Sequence, residues 1–200
     1  MPRPSVALRL GAPLAVLPLV LTACNGKDGD TGAAQQATTR AKPSPSTSTS
    51  APLTAGDSIA GTVKEDNGLV TYSVAAQQLT FGTQAQAKAA VQNPADAKGK
   101  VIATVRVRYT HQAGPTVTTS TNADDATTVW AEGQRGTILL NSPTNGASCD
   151  DPYDIASWKT GQSHTFCEYY LLPATAKKAE VHWSEDGGRP YVWTFAGPGA

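Results

Sequence analysis

From Lys100 to His111 the chain alternates with a period of two. Val101, Ala103, Val105, Val107 and Tyr109 fall on one side. Lys100, Thr104, Arg106, Arg108 and Thr110 fall on the other, and Ile102 alone is out of phase. A one-residue slip would carry the whole apolar set to the opposite face, so this pattern demands a sheet with one buried side. It predicts a half-buried antiparallel strand, ended by Gly114-Pro115.

The same texture recurs in shorter pieces. Residues 58–64 read as a first strand, and Asn67-Gly68 is a turn signal leading into 69–81, where Val70, Tyr72 and Val74 share a face. The Ala- and Gln-rich residues 84–92 form a short helical connection, stopped by Asn93-Pro94. Thr- and Val-rich runs at 116–121 and 127–130 are separated by the polar residues 122–125, and 136–140 is a further short strand. Residues 141–159 carry three turn signals and read as a long loop. Beyond it, 163–172 is a strand, for which Cys167, Tyr169 and Leu171 are the expected inner face. Segments 179–183 and 191–195 form a hairpin across Asp186-Gly187-Gly188, with Trp183, Trp193 and Phe195 as core anchors. Seven or eight short strands without βα alternation predict an all-β fold, an antiparallel sandwich. About 145 residues suffice for one domain with one core.

Leu69 to Phe195 resembles a large bacterial family of telokin-like, immunoglobulin-type extracytoplasmic domains, many of unknown function. The likeness rests on residues 100–107, on Trp158-Lys159-Thr160-Gly161-Gln162-Ser163, on Leu171-Leu172-Pro173-Ala174 and on Val192-Trp193-Thr194-Phe195. It implies an immunoglobulin-like sandwich on an exported protein, and it supplies no ligand.

The N-terminus reads as an export signal. Arg3 and Arg9 precede an apolar run, Leu10 to Val20, which Pro13 and Pro18 interrupt and which is too short to span a bilayer. Leu21-Thr22-Ala23-Cys24 resembles a bacterial lipobox, which implies cleavage before Cys24 and a diacylglycerol thioether on its sulfur. Two acyl chains hold a protein stably where one holds only marginally. Residues 25–51 are polar and small, with a Pro/Ser/Thr run at 43–50, and cannot bury enough apolar surface to fold. The expected organisation is a signal peptide at 1–23, a lipidated cysteine and flexible linker at 24–54, and a sandwich at 55–200, held outside the cytoplasm on the cell membrane.

With Cys24 assigned to lipid, Cys149 and Cys167 remain, an even pair in an exported chain, and are expected to form a disulfide. Eleven basic and fourteen acidic residues follow Leu53, so the domain carries no basic footprint for nucleic acid.

Candidate sites are few. Gly161-Gln162-Ser163-His164-Thr165 lacks the second glycine of a nucleophile elbow and enters a strand instead of a helix. His111, His164 and His182 lack zinc spacing and read as surface or edge residues. Asp150, Asp151 and Asp154 are weak calcium candidates without EF-hand spacing. Glu168 with Asp150 or Asp154 could be a glycosidase pair only at a separation that sequence does not give. If Cys167, Tyr169 and Leu171 face inward, then Phe166, Tyr170 and Leu172 point outward, and they are either covered by the loop at 141–159, held there by the disulfide, or left as an interaction patch. The reading is a non-catalytic binding module without cofactor, whose partner is an envelope protein or a cell-wall polymer. The alternatives are a small exported hydrolase or a spacer that presents a surface.

Overall fold

The strand at Lys100–Ala113 lies at the centre of a five-stranded antiparallel sheet. The computed structural model describes residues 52–140 and 149–200, all within one compact unit. Its strands are β1 (Ile59–Glu65), β2 (Gly68–Phe81), β3 (Lys100–Ala113), β4 (Thr128–Ala131), β5 (Gln134–Arg135), β6 (Thr137–Ile138), β7 (Ser163–Pro173), β8 (Lys178–Trp183) and β9 (Tyr191–Ala196), with one helix, α1 (Gln84–Ala89). One sheet runs β1-β2-β3-β7-β6 and the other β5-β4-β8-β9, and they form an all-β sandwich. The expected signal peptide, Cys24 as the expected lipidation site and most of the expected linker lie outside the described residues. Leu53, which the sequence places in the linker, pairs with β9: its N–H donates to Val192 and its carbonyl accepts from Thr194.

The alternation of β3 holds. Val101, Ala103, Val105, Val107 and Tyr109 are all buried. On β2 the buried set runs Val70, Tyr72, Val74 and Ala76, then changes phase to Leu79. A register shift between Ala76 and Gln78 inserts one residue, so Leu79 still stands opposite Val105. The out-of-phase Ile102 faces the other way. It packs with Ala87 of α1, Ala97 and Leu171 in a small second cluster on the outer face. A Thr83/Gln86 capping box starts α1. The segment 116–121 forms no named strand, but Val117 bridges Trp158 through both backbone groups.

The phase expected for β7 is overturned. Phe166, Tyr170 and Leu172 are buried in the core, so no outward patch exists there. Pairing with β3 sets Phe166 against Val107, Glu168 against Val105, Tyr170 against Ala103 and Leu172 against Val101. Residues directly opposite in an antiparallel pair share a face, so the inner set of β3 fixes the inner set of β7. Leu171 is also buried, but under α1.

Three tryptophans anchor the core. Trp158, Trp183 and Trp193 are fully buried, and each indole N–H reaches a backbone carbonyl, of Gln162, Ala123 and Asp57 respectively. Phe195 is only partly buried against them. Gly61 lets β1 lie on the Trp183 ring, where a Cβ would come within 2.5 Å of it. Trp158 sits among Tyr72, His111, His164 and Phe166.

Candidate functional site

Among the described residues, the outer edge of β7 is paired at two places with a gap between them. At one end β6 pairs with Tyr170 and Leu171, and the Leu139 N–H donates to the Tyr169 carbonyl at 2.8 Å. At the other, the Asp150 N–H donates to the Thr165 carbonyl at 2.8 Å, and the Thr165 N–H donates to the Asp150 carboxylate at 3.0 Å. Beside the gap the Cys149–Cys167 disulfide ties the incoming chain to the strand, with the two Cα atoms 5.7 Å apart. A cavity of about 450 Å³ lies over Cys167, Glu168 and Tyr169, within the range of small-molecule sites.

Its walls have two characters. Asp124, Asp125, Asp150, Asp151 and Glu168 all line it, five of the fourteen acids that follow Leu53, against the single base Arg135. Ile138, Leu139, Leu140, Pro152, Tyr153 and Tyr169 supply the apolar part. Ile138, Leu140 and Tyr153 are 44%, 77% and 80% exposed, which makes them three of the four large exposed apolar residues among those described. Exposed apolar surface is thus gathered at this mouth, and such gathering marks interaction sites.

The acids differ in how they are held. Asp150 is occupied by Thr165 and stands 3.2 Å from His164. Asp151 accepts from the Tyr153 N–H at 2.9 Å. Asp124 lies in the turn before β4, where its carbonyl accepts from the Thr127 N–H, and its Oδ1 is buried without a hydrogen-bond partner. Burial, followed by the charges of Asp125, Glu65 and Asp151, pushes the Asp124 carboxyl up to about 7. Burial and Glu65 also raise Asp125. Burial pushes Glu168 up to about 8, with Asp124 and Asp125 adding to it and the Tyr170 hydrogen bond and Arg135 opposing it.

A proton count agrees with a neutral Glu168. The Tyr170 hydroxyl is bonded both to Glu168 and to the Thr127 carbonyl, the latter at 3.0 Å. A phenol has one proton and a carbonyl has none. A protonated Glu168 donating to Tyr170, which in turn donates to Thr127, satisfies all three groups. The Thr127 side chain makes a separate contact, its Oγ1 meeting the Tyr109 hydroxyl at 2.7 Å.

Other sequence candidates have settled roles. His111 is fully buried and not at the surface, because its ring completes the Tyr72–Trp158 cluster. Its Nε2 pairs with the Pro115 carbonyl and its Nδ1 with Thr160. His182 pairs with Glu180 and stacks on Trp130. Ser163 is hydrogen-bonded to Thr110 and Arg108. Asp150, Asp151 and Asp154 act as turn and bridge formers, and among the described residues no three His, Cys, Asp or Glu side chains gather to hold a metal. Asp124, Asp125 and Arg135 went unflagged by sequence reasoning. The one readable signal was Glu168, a lone charge within Phe166–Leu172.

No protein-family model matches the chain, and neither does any curated protein sequence. Three solved structures are similar in outline. A Bacillus subtilis protein assigned as a lipoprotein aligns over 72% of this chain at 5% identity, with a TM-score of 0.46, and this chain spans 39% of its length. A Staphylococcus aureus protein, likewise assigned as a lipoprotein, aligns over 69% at 8% identity with a TM-score of 0.42, covering 92% of that protein. A Listeria monocytogenes protein of unknown function aligns over 65% at 10% identity with a TM-score of 0.31, covering 78% of it.

Proposed function

We propose that this chain is a lipid-anchored, extracytoplasmic binding module, without catalytic activity, whose ligand enters the cavity beside β7. The anchor half of the reading rests on the signal sequence and on Leu21-Thr22-Ala23-Cys24, and the immunoglobulin-type resemblance fits it. The binding half rests on one observation: five acids, of which Asp124 and Glu168 are partly buried, and most of the exposed large apolar side chains among the described residues converge on a single cavity. A spacer has no use for such a convergence. Against a hydrolase, the proton held by Glu168 is engaged with Tyr170, where a general acid would turn it toward a substrate.

A saturation-transfer NMR screen of a small-fragment library tests this. Binders are expected, and the double variant Leu140→Ser/Tyr153→Ala abolishes them, since both side chains are exposed and the fold does not depend on them. A library without hits, or hits indifferent to the variant, overturns the reading.

A further inference from the structure

We infer that the Cys149–Cys167 disulfide is a thiol–disulfide exchange site, opened in the folded domain by a partner that carries a dithiol. The inference needs no cavity ligand, so it stands or falls apart from the binding reading. Three observations carry it. Both cysteines are partly exposed and line the cavity beside β7, while the neighbouring Phe166 is buried. A thiol from solvent has a route to these sulfurs that a core disulfide would deny it.

The two sulfurs also stand in unlike surroundings. Arg106 of β3 is directly opposite Cys167 in register. Residues so placed in an antiparallel pair carry their Cβ atoms about 5 Å apart on one face. A guanidinium there stabilises a departing thiolate. Cys149 instead opens a segment, 149–158, with three acids and no base, where an anionic sulfur is disfavoured.

Finally, the segment that Cys149 begins does not depend on the disulfide alone. The Thr121 N–H donates to the Pro152 carbonyl at 3.0 Å, the Ile155 N–H to Thr119 at 3.0 Å and the Trp158 N–H to Val117 at 2.8 Å. Ile155 and Trp158 are buried. These contacts keep 152–158 on the domain when the sulfurs part, so the opening is local.

In the exchange, one thiolate of the dithiol attacks Cys149 Sγ. The S–S bond breaks and Cys167 leaves as the thiolate beside Arg106. The second thiol of the partner then displaces Cys149 from the mixed disulfide. Two electrons and two protons pass to the cysteine pair, and the partner departs as its own disulfide. The reverse step uses that oxidised partner.

The experiment treats the full chain, in maltoside micelles at neutral pH without denaturant, with millimolar dithiothreitol. Maleimide labelling with peptide mass mapping counts the free thiols, and near-UV circular dichroism follows the fold. The pair is expected to open with the near-UV signal retained. Arg106→Gln slows the opening about threefold to tenfold, because the charge beside the leaving sulfur is gone. Arg106→Lys restores the rate, and Arg108→Gln, which stands opposite Thr165 instead, leaves it unchanged. In the wild type, brief exposure to 2-mercaptoethanol followed by acid quenching places the adduct on Cys149 and leaves Cys167 free. Opening that requires denaturant, or that coincides with loss of the near-UV signal, overturns the inference and makes the pair a staple. An adduct on Cys167, or a rate indifferent to Arg106→Gln, overturns it as well.

Discussion

Glu168 and Tyr170 stand two residues apart on the inner face of β7 and share a hydrogen bond that continues to Thr127. Glu168 is therefore an acid inside the sandwich whose proton belongs to the fold. Its carboxyl sits at about 8 when folded against an ordinary 4.5, and Asp124 sits at about 7 against 3.8. Both are raised, so the native state holds protons that the unfolded chain gives up. The stabilisation is complete below the unfolded values and is lost as pH rises through about 7 and then about 8. Each proton sets a slope of at most about 1.4 kcal/mol per pH unit. The denaturant midpoint should fall steadily between about pH 5 and pH 8. Glu168→Gln, whose amide still donates to Tyr170, should flatten its share of that fall. A wild-type midpoint that rises over this window would contradict the assignment.

The Cys149–Cys167 disulfide fastens the chain that carries Asp150 and Tyr153 to β7. A loop this short restricts the unfolded chain enough to be worth about 2–4 kcal/mol. Cys149→Ser/Cys167→Ser should lower stability by that amount. It should also weaken any cavity ligand, because both cysteines line the cavity. Urea unfolding of the oxidised, reduced and double-serine forms reads the first effect, and titration of the folded double variant reads the second. Ligand affinity that is unchanged in the double variant would mean that the pairing of Asp150 with Thr165 holds the wall alone.

Two strands show how far sequence reasoning reaches. On β3 one face is apolar and the other charged, so the phase is written in the residues, and even its exception, Ile102, marks a real second cluster. On β7 the residues from Phe166 to Leu172 are apolar or aromatic on both faces apart from Glu168. Alternation then carries no phase, and only the register with β3 decides it. The cavity was illegible for another reason. Its residues come from the turn before β4, from β5 and β6, from residues 149–153 and from β7, so no local pattern connects them.

The proposed lipid anchor makes its own prediction. Cys24→Ser removes the sulfur on which the proposed thioether would form. The variant should leave the membrane fraction for the medium, or accumulate with its signal uncleaved. Fractionation followed by blotting distinguishes these outcomes from retention, and a variant that still sediments fully with membranes would remove the anchor.

The free edge of β1 is guarded by the turn between β8 and β9. The Thr62 N–H donates to the Glu185 carboxylate at 2.9 Å, and the Lys64 N–H donates to Asp186 at 3.2 Å. Two donors that would otherwise offer a template to a second strand are thereby capped by negative charge. Glu185→Ala/Asp186→Ala uncovers them, at a cost of about 1–3 kcal/mol, because the Thr62–Glu185 contact is part-buried and the Lys64–Asp186 contact exposed. The expected effect is on association: static light scattering should rise sooner and at lower protein concentration than in the wild type. Glu185→Gln/Asp186→Asn keeps an acceptor oxygen at each place while removing the charge. If hydrogen-bond capping guards the edge, this pair scatters like the wild type. If charge repulsion guards it, this pair scatters like the alanine variant, and the comparison separates the two causes on one edge.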